Sequence, residues 1–260
     1  MGPLRALVDR RGEMTLLNLA LAIPTSLVAL AISMFFLLLA APFALVPRGR
    51  RERLIWWTNA GCAWAILRFA LLVRSIDVQG REHLPVYGTP YLVVCNHRGF
   101  CDVPTLIWAA RAQGISKKLV FYFPAMGLLG YLGGAVFFDR REQSERLRAK
   151  EEAVFLLQRG VPLHVYPEGT RTRDGKLREK VSLGLLVAAS EAGVCLVPAG
   201  IVGTDDVIPP TNKGIRYFQD IRLRFGEPLS AADFDSPLAQ AEAAWGAVKA
   251  IVEDLEEGPP

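Results

Sequence analysis

Tyr91-Leu92-Val93-Val94-Cys95-Asn96-His97-Arg98-Gly99-Phe100-Cys101-Asp102-Val103-Pro104 passes within a few residues from one kind of structure to another. Tyr91–Cys95 is a short apolar run rich in β-branched and aromatic side chains, so it reads as a buried strand. From Val103 to Ala112 the apolar residues take helical spacing. Pro104 falls in the first turn, where its missing N–H costs little. Asp102, just ahead, suits an N-cap. A strand turning directly into a helix is a unit of layered α/β folds, and such corners expose side chains at the sheet edge where those folds keep their sites.

The same alternation continues on both sides. Leu119–Phe123, Val136–Phe138, Pro162–Tyr166, Cys195–Val202 and Ile221–Phe225 read as further strands. Between and after them, Glu142–Gln158, Leu183–Ala192 and Ala239–Leu255 have helical spacing; the first of these is polar on one face, with Leu147, Val154, Phe155 and Leu157 on the other. The order predicts an α/β fold with a mixed, largely buried sheet flanked by helices over residues 75–260.

Residues 1–74 differ in character. No charge occurs from Met14 to Pro47, and about 20 apolar residues suffice to span a bilayer as a helix. Pro24 and Pro42 would kink this run or trim its ends. Arg5, Arg10 and Arg11 could serve as the n-region of a signal peptide, but such a peptide has an apolar core of only about 7–15 residues, and no small-residue cleavage site follows. A retained membrane segment is expected. After the basic cluster Arg48, Arg50, Arg51 and Arg53, a second apolar stretch, Leu54–Val73, carries Trp56, Trp57 and Trp64 but also Arg68. It reads either as an amphipathic helix of the soluble part or as the second arm of a membrane-dipping hairpin. The expected layout is an N-terminal two-helix membrane motif over 1–74 and a catalytic domain over 75–260.

The whole chain of 260 residues has a formal net charge of +4 and a mean hydropathy of +0.25. That balance is too mild for a nucleic-acid partner and suits an anionic membrane surface or a phosphorylated substrate. Cys62, Cys95, Cys101 and Cys195 show no CxxC spacing and read as buried free thiols in a reducing compartment. His164 and Glu168 are four apart, but Pro162, Pro167 and Gly169 make that segment a strand and turn, so no metal site is expected.

His97 lies five residues before Asp102, close enough in a tight turn for the carboxylate to hold one imidazole nitrogen and make the other a general base. On this segment alone, a cap aspartate beside an incidental histidine explains the pattern about as well. Asn96-His97-x4-Asp102 also resembles the first motif of the glycerolipid acyltransferase superfamily. Gly134-Ala135-Val136-Phe137-Phe138-Asp139-Arg140 resembles its second, Pro167-Glu168-Gly169-Thr170-Arg171 its third, and Leu196-Val197-Pro198-Ala199 its fourth. Phe225-Gly226-Glu227-Pro228 is similar to the family's C-terminal strand ending. By these ordered motifs the chain resembles the 1-acylglycerol-3-phosphate (lysophosphatidate) acyltransferases.

That resemblance implies transfer of an acyl group from acyl-CoA or acyl carrier protein to a lysophospholipid hydroxyl, lysophosphatidic acid first among the acceptors. Lyso-aminolipids, lysophosphatidylcholine and glycerol 3-phosphate are the alternatives, and a non-catalytic lipid-binding protein is a further one. It implies His97 as base and Asp102 as its partner, with no resident cofactor and no covalent enzyme intermediate. Arg140 and Arg171 would grip the phosphate, and Lys118 matches a phosphate-binding lysine loosely. Glu168 would position an arginine or a substrate hydroxyl, Gly169 would let the backbone approach closely, and Thr170 would donate a hydrogen bond. The membrane lipids would be partners, and the location a membrane, the cytoplasmic face of the inner membrane if the cell is bacterial. One departure is Gly99, where the family usually carries a serine two residues after the histidine.

Overall fold

The computed structural model describes residues 16–258 except 173 and 210–213; Arg5, Arg10, Arg11 and Met14 lie outside the described residues. The uncharged N-terminal run forms α1 (Leu16–Ala40), which contains Pro24 and passes into a 3-10 turn over Ala41–Leu45. It is the one helix, among the described residues, long and apolar enough to cross a membrane. Its large side chains face outward: Ile23, Leu27, Phe35 and Leu38 are each more than half exposed. Exposure on this scale marks a surface built for lipid or a partner rather than for water.

The second apolar stretch becomes α2 (Arg51–Ala65), extended by a π turn over Ile66–Ala70. Arg68, unexpected in such a run, closes that turn, its guanidinium donating to the carbonyls of Val73 and Arg74. One face of α2 is buried through Ile55, Thr58, Asn59 and Cys62. The hairpin expectation therefore narrows to a single apolar helix, with α2 packed between it and the α/β body. The reason is visible in composition: α2 buries Arg51 and Glu52, which pair with one another, and the Arg51 guanidinium donates to the Leu132 carbonyl at 3.0 Å.

The rest alternates as β1 (Ser75–Gln79), β2 (Tyr91–Cys95), α3 (Asp102–Ala110), β3 (Gln113–Lys117), α4 (Lys118–Phe121), α5 (Met126–Gly133), β4 (Val136–Phe138), α6 (Gln143–Gln158), β5 (Leu163–Val165), α7 (Gly184–Glu191), β6 (Cys195–Val202), α8 (Thr204–Val207), β7 (Asp220–Phe225) and α9 (Pro237–Glu257). The strands form one sheet in the order β1-β7-β6-β2-β5-β3-β4. All neighbours are parallel except β6 and β7. The mixed, helix-flanked sheet is as expected. Leu119–Phe123 is not a strand, however: its side chains are exposed, Leu119 at 72%. The more polar Gln113–Lys117 takes the place between β5 and β4 instead.

Period-two alternation in β2 divides the core. Tyr91, Val93 and Cys95 join Ile55, Leu67, Leu106 and Leu129 from α2, the π turn, α3 and α5. Leu92 and Val94 face Leu156, Leu186, Trp245 and Val248 from α6, α7 and α9. The apolar α1 thus lies on the same side of the sheet as α3, the helix that carries Asp102.

The helices α1 and α2 cross closely at Gly61, where an added Cβ would come within 2.8 Å of the Phe36 ring. Gly61→Val should push the two helices apart at a cost of about 1–3 kcal/mol. A lowered unfolding midpoint in detergent, with faster proteolysis in 41–50, is the expected reading; unchanged stability would refute this contact.

Candidate active site

Four strands run parallel, so their C-terminal ends meet one edge of the sheet, and the residues singled out by sequence stand along it. His97 follows β2, Glu168 to Arg171 follow β5, Lys118 follows β3 and Arg140 follows β4. At about 4.8 Å per strand, the far end of this row lies about 14 Å from the histidine's own strand. The fan is held at its centre by Asn96, whose side-chain amide exchanges both hydrogen bonds with the backbone of Ile201 on β6, at 2.8 and 2.9 Å.

His97 and Asp102 are paired, Nδ1 to Oδ2 at 2.7 Å. Asp102 is wholly buried. The same Oδ2 accepts the backbone N–H groups of Arg98 (2.7 Å) and Gly99 (2.9 Å), and the Thr204 hydroxyl bonds to Oδ1. Asp102 is therefore the first residue of α3 and not the N-cap expected; Cys101 holds that place without a side-chain cap. Its carboxylate turns back on the loop before the helix, where the N–H groups of Arg98 and Gly99 would otherwise be buried without partners. With the Nδ1 proton held this way, Nε2 is the nitrogen left to accept one.

Gly99 has a reason in the same loop. A Cβ there would lie 2.5 Å from the Thr204 carbonyl oxygen, so no side chain fits. The hydroxyl that reaches Asp102 comes instead from Thr204, across the turn after β6. Cys95 and Cys101 flank the motif but are fully buried. Burial and the nearby Asp102 push both thiols up, away from the thiolate a nucleophile needs.

Glu168 is engaged with the main chain. Its two carboxylate oxygens accept backbone N–H groups, from His97 at 2.7 Å and from Arg178 at 3.2 Å. It thereby clamps the main chain of the His97 loop to the turn after β5, and Thr172 adds a backbone bond to the His97 carbonyl at 2.9 Å. Burial raises the Glu168 carboxyl above its ordinary value despite these donors. Gly169, at φ +69, makes the turn that places Glu168, its N–H bonding the Tyr166 carbonyl at 3.0 Å. Thr170 is half-buried beside it.

Arg171 is half-buried, and its Nη1 is buried without a partner among the described residues. Arg140 is half-buried, its guanidinium 5.9 Å from the Phe138 ring centre, and desolvation lowers its pKa. Neither forms an ion pair among the described residues. Lys118 stands exposed at the start of α4. Glu145 is held below the usual carboxylate range by Arg148 and, more weakly, by Lys118.

Two neighbours of the pair, Tyr166 and Thr204, escaped the sequence reading. The Tyr166 ring stacks on His97 with centroids 4.0 Å apart and planes within 11°. His164 packs against the other side of this environment, its ring edge-on to Tyr166 at 5.3 Å. An aromatic at a strand end reads as core, and Thr204 lies 102 positions from its partner, so neither carried a local signal.

The fold and this corner define an α/β protein with a histidine–aspartate site at the C-terminal edge of its sheet. Residues 75–202 form a domain that matches the family model described as Acyltransferase. Among curated relatives, it is 31% identical over 173 residues to a chloroplastic 1-acyl-sn-glycerol-3-phosphate acyltransferase of Brassica napus, covering 66% of this chain and 50% of the relative. It is 31% identical over 126 residues to the human 1-acyl-sn-glycerol-3-phosphate acyltransferase alpha, covering 47% of this chain and 44% of that one. The chain spans about half the length of the curated relatives it matches. Its fold matches the crystal structure of the 1-acyl-sn-glycerophosphate acyltransferase PlsC of Thermotoga maritima, with a TM-score of 0.78, 24% identity, and coverage of 94% of this chain and 98% of the other.

His164 gives the site a pH dependence of stability. It is fully buried, bonds the Ala112 carbonyl through Nδ1 at 3.0 Å and leaves Nε2 without a partner. Burial lowers its pKa from 6.5 to about 4. The unfolded chain therefore binds a proton, as pH falls through 6.5, that the folded chain refuses until about pH 4. This contribution is complete above pH 6.5, is lost toward pH 4, and amounts to about 3 kcal/mol. Glu168 and Asp205, raised by burial, act in the opposite sense. The comparison is therefore with His164→Asn, which keeps a donor for Ala112. Its unfolding midpoint should fall less steeply between pH 6.5 and 4 than that of the parent; parallel curves would contradict the buried neutral state.

Proposed function

We propose that this chain transfers a fatty acyl group from a thioester, acyl-CoA or acyl-carrier protein, to the free hydroxyl of 1-acylglycerol 3-phosphate, giving phosphatidic acid. The observation that carries the reading is the His97–Asp102 pair, which leaves Nε2 as the acceptor at a sheet edge also bearing two unpaired guanidinium groups. An unactivated alcohol is a poor nucleophile at neutral pH. Nε2 takes the hydroxyl proton as the oxygen attacks the thioester carbonyl. The C–S bond breaks on collapse of the tetrahedral intermediate, and the departing thiolate takes the proton back from the imidazolium. Asp102 steadies that imidazolium, and the Tyr166 face keeps the ring from turning. No protein nucleophile takes part.

Arg140 and Arg171 are suited to the acceptor phosphate, since a guanidinium fork without a carboxylate partner is free to grip one. The names of the curated relatives point to the same acceptor. The donor comes from water and the acceptor from a leaflet, so the reading places α1 in the membrane and the catalytic edge at its surface, on the cytoplasmic side if the cell is bacterial. The deciding assay is labelled acyl donor with a panel of lyso-acceptors, using full-length protein in lipid vesicles.

His97→Ala should lower turnover by roughly 10²–10⁴-fold. It should leave the fold intact, since the ring stands at the edge and Asp102 keeps three other donors. Asp102→Ala should do similar damage and also destabilise the chain by about 2–5 kcal/mol, because it strands two buried N–H groups. Arg140→Ala and Arg171→Ala should each raise the KM for lysophosphatidic acid about 10- to 100-fold with a smaller effect on kcat. Near-normal rates in folded His97→Ala protein would end the mechanism. Unchanged acceptor saturation in both arginine variants would end the phosphate assignment.

A further inference from the structure

The chain has five tryptophans. Four of them, Trp56, Trp57, Trp64 and Trp108, line one groove of about 650 Å3 between α2, the end of α3 and the segment 81–87. The fifth, Trp245, is in the core beneath the opposite face. The groove lies away from the catalytic corner: it reaches Tyr91 at the start of β2 and Arg111 after the end of α3, whereas His97 and Asp102 stand at the other ends of those elements. Along α3 the separation is about 14 Å.

Two cations stand in the groove. The Arg111 guanidinium lies 4.2 Å from the Trp56 ring centre and that of Arg81 lies 4.9 Å from Trp108. Neither guanidinium has a carboxylate partner or a hydrogen bond among the described residues. Desolvation and the Arg111 charge both pull Arg81 below the ordinary arginine range. Two like charges with no counter-ion, sharing aromatic walls, are relieved by a bound anion. Arg111 itself has φ +54, a backbone position that favours glycine or asparagine at a helix end. A long cation kept there against local preference is the kind of strain found at functional positions.

The groove's rim says where the anion comes from. Trp57 and Trp64 are each about two-fifths exposed, Val86 is 79% exposed, and the same side of the chain carries exposed Phe69 and the apolar face of α1. Indoles favour the headgroup level of a bilayer, with apolar surface below and charge above. We propose that the groove binds the phosphate headgroup of an anionic glycerophospholipid of the surrounding leaflet, as a site separate from the acyl-transfer centre. Arg81 and Arg111 hold the phosphate, and the tryptophans cover the glycerol and the first methylenes. The proposal rests on the membrane placement of α1 and does not require the acyl-transfer chemistry.

The test uses the tryptophans as reporters. Full-length protein is reconstituted into phosphatidylcholine vesicles, with and without phosphatidylglycerol, and quenching is read with either lipid brominated in its acyl chains. Quenching should favour brominated phosphatidylglycerol in the parent. In the double variant Arg81→Gln, Arg111→Gln that preference should fall on the order of tenfold, whereas Arg81→Lys, Arg111→Lys should retain part of it. Flotation with the vesicles is measured alongside, so failure of the membrane placement is told apart from failure of the site. Equal quenching by the two lipids in a parent protein that floats would overturn the proposal. So would a double variant that keeps the preference, or one that instead raises only the KM for acyl-CoA.

Discussion

The Asp102 carboxylate is the interaction on which the corner depends. It is fully buried and receives four donors: the His97 ring, the N–H groups of Arg98 and Gly99, and the Thr204 hydroxyl. A carboxylate has about four acceptor positions, so this one is saturated. The same atoms that orient the His97 ring also shape the loop that carries it and join that loop to the turn after β6. Ring orientation and loop folding are thus not separable at this residue. His97 is different, because its ring adds only one of the four donors.

A second layer positions the loop from the β5 side. Glu168 holds the His97 backbone, Tyr166 supports the ring, and Thr172 ties the His97 carbonyl. These contacts come from the segment that also supplies Arg171. A shift of this segment would therefore move the His97 loop and Arg171 together. At the outer face, Arg98 reaches the Gly175 carbonyl at 2.9 Å and pairs with Glu256 of α9, which anchors the loop to the C-terminal helix.

Much of this was legible in the sequence, and the limits are instructive. β6 over Cys195–Val202 is apolar throughout because both faces are covered, and its reading was complete. β1 was not recognised, since Ser75–Gln79 is an edge strand whose residues alternate between half-buried and exposed. Leu119–Phe123 misled for the opposite reason: apolar side chains there face outward, and apolarity was read as burial. The His97–Asp102 pair was visible because both partners sit in one loop. Thr204, Tyr166 and the backbone role of Glu168 were not, because each depends on strands brought together from distant parts of the chain.

The placement of α1 follows from the same division of the sheet. One face is closed by α6, α7 and α9, which dock on the layer that includes Leu92, Val94, Leu163 and Leu196. The other is closed by α2, α3 and α5, and α1 lies outermost there. On the proposed reading, a substrate with one end in a bilayer and one end in water would meet the C-terminal edge from the side that carries the exposed apolar face of α1. His97 and Tyr166 emerge on that side, because they continue the alternation of Val93, Cys95 and His164. Parity along two strands therefore decides that His97 and Tyr166 face the side of α2, α3 and α5, where α1 exposes its apolar surface. A shift of one residue in either strand would turn that strand's ring toward α6 and α7 instead.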